Sequence, residues 1–576
     1  MSPTLSPTPD PHHYSAFTLV MSDEFNVPGR SFTDGSDPTW TAMDKNDYTN
    51  NALHYYSPSR VTTSKGSLDI KTTAERTEVV GFDDEKGERE KVDKNFKSAM
   101  LQSWNKFCFT GGIIEASVEL PGSSQIGGLW PAFWILGNLA RHTYVGSSSN
   151  IWPWSKTSCD PGKEDAQKIS GCLNTEHFGM SKGVGRGAPE IDIFEVQPGN
   201  VKHNTEQFSK MSVGQPFSSA SLQVAPGKSW QRPGPGNWPG PKEWYNGLKF
   251  GPNSTQNIAF YGTYNHFKDA PSTAYDYWSD AVSQNRQLSA THFEGPHVFR
   301  LEWEPPSEKW GDGYLHWYLD GELILAINGT SITSVTGAEI PSEPSYIIFN
   351  TAVSKEWGFP QTCPPGCPCK NYDCLSTSFD DKCGFNPGFC DMLTSGDAHM
   401  KVDWVRVYQD PHNDVHKVGC STPERPTRRW IEGNEKRYMM EGDVRPLKEV
   451  PRGGGECEVK EIGEIFEEGV CGGAKGGICK NGRCMCQPGR TGPTCLSSDG
   501  HDDIVWDPAD AIEDVGFYGV RVGQPWFVVG MGGVLAVAVL AEARRRRMRR
   551  RGRGAGLWDK VRGGWGEYDN IPDALI

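Results

Sequence analysis

The chain has 576 residues, too many for one ordinary domain and enough to bury a large core. Its 66 Gly, 41 Pro and 63 aromatic residues (20 Trp, 18 Tyr, 25 Phe) favour a turn-rich β fold over a helical bundle. The net charge is −14, and eight arginines lie between Arg544 and Arg553, so the remainder carries −22, which argues against a nucleic-acid partner because so acidic a body repels phosphate.

Residues 1–14 form a polar, Pro-rich segment without the charged start, apolar stretch or cleavage site of a signal peptide. Residues 15–412 read as strands divided by turns. Examples are Ser67–Lys71, Gly112–Leu120, His297–Trp303, Tyr314–Leu319, Tyr346–Asn350 and Val402–Tyr408, several of which alternate apolar and polar side chains. Asp320-Gly321 marks a tight hairpin, and His297 reads as structural. With no long amphipathic helix in this span, the pattern predicts an all-β antiparallel sandwich. The charged stretch Asp83–Lys94 and the Pro/Gly/Trp-rich stretch Pro226–Pro241 read as surface excursions.

Residues 413–456 are polar, basic and aperiodic, which suits a linker. Among the 16 cysteines, six lie between Cys363 and Cys390 and six between Cys457 and Cys495, clusters that mean disulfides or metal. The module 457–495 ends in a C-x-C-x2-G-x2-G-x2-C pattern that resembles the epidermal growth factor (EGF)-like fold. That resemblance implies the pairs Cys457 with Cys479, Cys471 with Cys484, and Cys486 with Cys495. A zinc knuckle is the alternative, but the module has no histidine, and so short a segment needs bridges to hold it.

After an acidic juxtamembrane segment (496–525), residues 526–541 are an uncharged apolar run, and 542–576 form a basic tail. The run of 16 residues is close to the usual roughly 17–25 of a span. Its alternative is a buried core helix, which the adjoining arginines oppose, since such clusters flank the cytosolic ends of spans. The expectation is a C-terminal transmembrane helix with everything before Pro525 lumenal or external, in a membrane of the secretory pathway (Golgi, vacuolar or plasma). The triplets Asn253-Ser-Thr255 and Asn328-Gly-Thr330 are glycosylation sequons that agree with this topology.

The chemistry concentrates in Ala188-Pro-Glu-Ile-Asp-Ile-Phe-Glu-Val196. On a strand, Glu190 and Asp192 share one face while Ile191 and Ile193 point to the core. Strict alternation would turn Glu195 the other way, and a β-bulge near Phe194 would bring it back. Three acids on one face repel each other and raise at least one pKa, a cost that suits a use. Retaining glycoside chemistry needs a nucleophilic carboxylate and a protonated acid about 5–5.5 Å apart. Two Glu side chains leaning inward close most of the gap left by a strand rise of roughly 13 Å. The competing reading is a solvated strand face or a calcium site.

Glu190-x-Asp192-x-x-Glu195 resembles the E-x-D-x-x-E signature of glycoside hydrolase family 16. Gly128-Leu-Trp-Pro-Ala-Phe-Trp134 and Val402-Asp-Trp-Val-Arg-Val-Tyr408 resemble two further segments of that family. More narrowly, Ser22–Asn26, Met100–Gly112 and Ala188–Asp192 are similar to the fungal and algal β-1,6-glucan synthesis-associated membrane proteins, and the resemblance covers about residues 15–410. It implies a concanavalin-like jelly-roll sandwich, with Glu190 as nucleophile, Asp192 as its assistant and Glu195 as acid/base. Trp130 and Trp134 fall where the family places sugar-stacking aromatics, with core packing the alternative for either and an equal one for Trp134, and Trp104 is a further cleft candidate. Fungal members carry an N-terminal span where this chain shows a C-terminal one.

The expected function is a retaining glycosidase or transglycosylase on β-1,3/1,6-glucan in wall or storage-glucan assembly. The alternatives are a non-catalytic glucan-binding protein and a glucan-synthase scaffold with an inert site. The expected partners are β-glucan, a membrane and glucan-synthase machinery. No cofactor or metal is implied: many members of the resembled family hold a structural calcium ion, but no ligand cluster here demands one.

Overall fold

The computed structural model describes residues 17–498, apart from internal stretches of which 84–87, 160–168, 198–215, 225–246, 258–262, 265–276, 439–453 and 458–470 are the main ones. The apolar run 526–541, the basic tail and the excursion Pro226–Pro241 therefore lie outside the described residues. Among the described residues, no helix is long and apolar enough to cross a membrane.

Two antiparallel sheets pack face to face. We label the strands of the front sheet β1 (Met100–Gln102), β2 (Cys108–Thr110), β3 (Trp130–Gly137), β4 (Glu190–Gln197), β5 (Phe217–Val224), β6 (Tyr277–Gln287), β7 (Ser345–Ala352) and β8 (Lys417–Val418). Across the sheet they run β6-β5-β4-β3-β7-β2-β8, with β1 also paired to β7. The back sheet centres on His297–Glu304, Gly112–Glu119 and His399–Gln409, flanked by the hairpin Tyr314–Leu319/Glu322–Asn328. Alternating side chains of both sheets meet between them. Phe133, Ile191, Phe194 and Phe349 come from the front, and Ile114, Leu301, Trp317 and Val405 from the back, each at most 1% exposed. Burial of large side chains on this scale, worth about 1.5–3 kcal/mol each before entropy, is what holds the layers together.

Two expectations about excursions and linkers change. Asp83–Lys94 is not a simple loop: it spans the tip of a long hairpin, Thr73–Asp83 with Glu88–Ser98, packed through Phe96. Residues 413–438 are not linker. Strand β8 pairs with β2, and helix α1 (Arg428–Gly433) buries Trp430 and Ile431 against the front sheet's outer face. The sequence hid this because the segment is polar and too short for periodicity, its anchoring resting on a few residues.

Those anchors are specific. A disulfide joins Cys108 of β2 to Cys420, across 312 residues of sequence. Arg186 makes a bidentate pair with Glu343 (2.6 and 2.8 Å), both buried, and also donates to the Pro426 carbonyl (2.9 Å). The Tyr438 hydroxyl donates to the Leu139 carbonyl and the Arg141 guanidinium to the Tyr438 carbonyl.

All sixteen cysteines are paired. Besides Cys108–Cys420 and Cys159–Cys172, three bridges knit 363–390 and three knit the C-terminal module. The module's bridges are Cys457–Cys479, Cys471–Cys484 and Cys486–Cys495. Its hairpin Gly477–Lys480/Arg483–Cys486 turns at Asn481-Gly482, both with positive φ (53° and 73°), the conformation a two-residue hairpin loop requires.

Replacing Cys108 and Cys420 together by alanine is expected to destabilise the sandwich by about 2–5 kcal/mol, because so distant a link restricts the unfolded chain strongly. The midpoint of unfolding followed by Trp fluorescence measures it, and a midpoint like that of the parent chain would refute it.

Candidate active site

The three acids stand on β4, and the register around them explains their common face. Against β3, Phe194 faces Phe133 while Asp192 faces Trp134, so Ile193 has no partner. Against β5, Asp192 faces Ser221 and Glu195 faces Ser219, so Ile193 and Phe194 together oppose one residue. This is a β-bulge. Both of its side chains point inward, with Ile193 1% and Phe194 0% exposed in the inter-sheet core. Glu190, Asp192 and Glu195 are thereby left on the outer face.

Contacts from other elements hold the bulged strand. The Trp317 indole reaches through the core from the back sheet and donates to the Asp192 carbonyl (2.9 Å). The Trp357 indole donates to the Val196 carbonyl (3.0 Å). At the strand's entry, a Cβ on Gly137 would lie 2.6 Å from the Ala188 Cα, so no larger residue lets Ala188-Pro189 pass.

Each glutamate is held by one indole. Trp152 donates to Glu190 Oε2 (2.6 Å) and Trp130 to Glu195 Oε1 (3.1 Å). Asp192, 2% exposed, lies between them, shares a hydrogen bond with Glu190, and receives a long one from Gln223 (3.4 Å). Burial pushes the Glu190 carboxyl up to about 7, against the pull of the Trp152 and Asp192 hydrogen bonds. Burial, and then the Glu190 charge, raises Glu195 to about 8, with the Trp130 bond opposing. Burial together with the charges of Glu195 and Glu190 lifts Asp192 well above the carboxylate range. The hydrogen bond they share lowers Glu190 and raises Asp192, so Asp192 holds the proton and donates it to an ionised Glu190.

The aromatics divide. Trp130 is half-buried and stacks on Trp357 (4.5 Å between centroids, 13°), beside Glu195. Trp134 faces Asp192 across the strands but is 6% exposed, its indole donating to Asn350 (2.8 Å) and its ring edge-on to His142. Trp104, expected among the cleft aromatics, offers no ring face to a sugar. It is 8% exposed, stacked on Tyr438 and covered by the Arg141 guanidinium. A motif read along the chain could not show that residues near 438 fold back onto it. Sequence reasoning also missed Trp152 and Trp357, whose abundance as Trp was visible but whose reach from loops was not. The sequon residues Asn253 and Asn328 are both exposed.

The fold and site define an all-β sandwich with a carboxylate-centred site. The chain belongs to the family of beta-glucan synthesis-associated proteins SKN1/KRE6/Sbg1, whose model matches residues 3–364. It is 30% identical over 439 residues to the beta-glucan synthesis-associated protein KRE6 of Saccharomyces cerevisiae, covering 73% of this chain and 50% of that one. Its identity to SKN1 of the same yeast is 29%, covering 74% and 47%. The chain therefore spans about half the length of these curated relatives. Among solved structures, it is similar to an endo-beta-1,3-glucanase from Pyrococcus furiosus (18% identity, TM-score 0.35, covering 68% of this chain and 94% of that one).

A carboxyl whose pKa is higher in the folded than in the unfolded chain stabilises the fold fully below about pH 4, and loses that effect as pH rises through its folded value. For this triad, the loss begins at about pH 4 and is complete only as pH passes about 7 for Glu190 and about 8 for Glu195. The melting temperature is therefore expected to fall with rising pH across that window, and Glu195→Gln, which cannot ionise, is expected to flatten the fall. Parallel melting profiles for parent and variant would contradict the assigned coupling.

Proposed function

We propose that this protein is a retaining glycosidase or transglycosylase acting on β-1,3/1,6-glucan, working in cell-wall or storage-glucan assembly. The observation that carries the reading is the bulge-imposed convergence of Glu190, Asp192 and Glu195, with each glutamate held by an indole N–H. Family membership and the names of the relatives supply the substrate class.

In the first step the ionised Glu190 attacks the anomeric carbon. The bond from that carbon to the leaving oxygen breaks, and Glu195 delivers its proton to that oxygen. A sugar–Glu190 ester results. Glu195, now ionised, takes a proton from an incoming hydroxyl, whose oxygen attacks the anomeric carbon and releases Glu190. Water gives hydrolysis, whereas a sugar hydroxyl gives transfer, the outcome favoured by a role in synthesis. Asp192, retaining its proton, donates to Glu190 and steadies the nucleophile's orientation and charge.

The order of titration matches these roles, since Glu190 must be ionised while Glu195 is still protonated. The rate is expected to be bell-shaped in pH, with its maximum between about 7 and about 8 for the free enzyme. Glu190→Gln is expected to lower turnover of laminari-oligosaccharides at least about a thousandfold, since no covalent intermediate can form. Asp192→Asn, which keeps a hydrogen-bond donor, is expected to retain more activity than Asp192→Ala. Product analysis by mass spectrometry measures all three. Unchanged oligosaccharides with the parent chain, alongside measurable glucan binding, would instead favour a glucan-binding or synthase-scaffold role.

On the same reading the protein sits in a secretory-pathway membrane, with the sandwich and the EGF-like module lumenal or external and the tail cytosolic. Eight disulfides and two exposed sequon asparagines suit an oxidising compartment. Protease protection in sealed vesicles tests it: residues 15–500 are expected to be protected and the tail cleaved.

A further inference from the structure

Three segments meet at a pair of imidazoles where the chain leaves the front sheet for the back one. The turn Ala290–Phe293 after β6 carries His292, and the back-sheet strand that follows begins at His297. The tip between Tyr314–Leu319 and Glu322–Asn328 supplies Asp320. The two imidazole rings stack, 3.9 Å between centroids and 15° apart. His297 Nδ1 lies 2.6 Å from Asp320 Oδ2, and one ligand atom from each of the three residues lies within 4.8 Å of the others. The glycosidase reading makes no use of these groups.

The atom that needs an explanation is His292 Nε2. The residue is 9% exposed, and Nε2 is closed to solvent without a hydrogen-bond partner among the described residues. A buried ring nitrogen costs stability as a lone pair without a donor or as an N–H without an acceptor. The other nitrogen, Nδ1, is engaged at Ser289, 3.1 Å from the hydroxyl and 3.3 Å from the backbone nitrogen. That hydroxyl can accept from an Nδ1–H because Thr291 Oγ1, 2.7 Å away, takes its own proton. In this tautomer Nε2 is a free lone pair. Outer bonds hold the other two groups as well. His297 bonds the Thr291 backbone besides Asp320, and Asp320 Oδ1 accepts from the Val298 N–H (2.9 Å). Ligands of a metal are oriented by outer bonds of this kind.

Two imidazoles and one carboxylate suit zinc and its transition-metal neighbours, whereas calcium and magnesium take oxygen ligands. We propose that His292, His297 and Asp320 form a binding site for a divalent metal of the zinc class, with water as a fourth ligand. The ion replaces the proton between His297 and Asp320, and that proton leaves to solvent. Ligands about 2.0–2.2 Å from a tetrahedral ion stand roughly 3.3 Å apart. The half-buried His297 therefore opens slightly from Asp320 and turns off His292, which brings Nε2 into the shell. Arg286, the nearby cation, is held by Glu322 and the Pro252 carbonyl rather than by Asp320. The bound ion ties the turn after β6 to the back sheet and to the hairpin tip.

The test titrates the full chain, stripped with a chelator, first with Co²⁺ as a spectroscopic probe and then with Zn²⁺. Ca²⁺ serves as the control. The expected result is one tightly bound ion per chain, with the visible absorption of four-coordinate cobalt lost on displacement by Zn²⁺. The melting temperature is expected to rise by a few degrees with Zn²⁺ and to stay unchanged with Ca²⁺. Asp320→Asn keeps an acceptor for the Val298 N–H and tolerates the positive φ of 50° at this position, so the fold is retained. It is expected to bind Zn²⁺ at least about tenfold more weakly and to lose the cobalt bands, as is His292→Gln. A parent chain that takes up no ion from micromolar Zn²⁺ overturns the proposal. So does a cobalt spectrum that survives both substitutions, which would place the ion on other residues.

Discussion

One unpaired residue in β4 decides which way Glu195 points. Without the slip at Ile193, the alternation of a strand would send Glu195 into the core and bring Phe194 out. Both errors are expensive, one burying an unpaired charge and the other exposing an aromatic ring that now packs on Phe133 and Phe299. The apolar pair Ile193-Phe194 therefore secures the bulge from the inside. Trp317, bonded to the Asp192 carbonyl, secures it from the facing sheet.

The arrangement of the acids results from this. Three carboxyls forced together under burial cannot all ionise, so protons are shared among them. The two indole donors favour the charged forms of Glu190 and Glu195, while Asp192 has a single long bond from Gln223 besides its link to Glu190. The neighbours thus divide the protons, with Asp192 keeping its own. A fold that stores this repulsion must offset it elsewhere, and the dense inter-sheet core with its large buried aromatics does so.

Much of this was legible in the sequence, and the remainder was hidden for a physical reason. Period-two strands and turn residues specify the sandwich locally, and the spacing of Glu190, Asp192 and Glu195 already implied a bulge. The EGF-like resemblance of 457–495 implied the three bridges that the structure contains. The hidden features depend on contacts distant in sequence. The Cys108–Cys420 link, the Arg186 pair and the Tyr438–Trp104 stack each join residues too far apart for local pattern to reveal. Hence a segment that reads as linker is part of the sandwich, and a tryptophan that reads as a cleft aromatic lies beneath it.

The bulged strand makes a compact carboxylate centre on the sheet's outer face, with Glu190 and Glu195 partly exposed. Catalysis there requires Glu190 to act as a nucleophile. Incubation with a 2-deoxy-2-fluoro-β-laminaribiosyl fluoride probes this step, since carboxylate attack would expel fluoride and leave a slowly hydrolysed ester. Peptide mass spectrometry is predicted to find the added sugar on Glu190. An unmodified chain, or a label on another residue, would rule that role out.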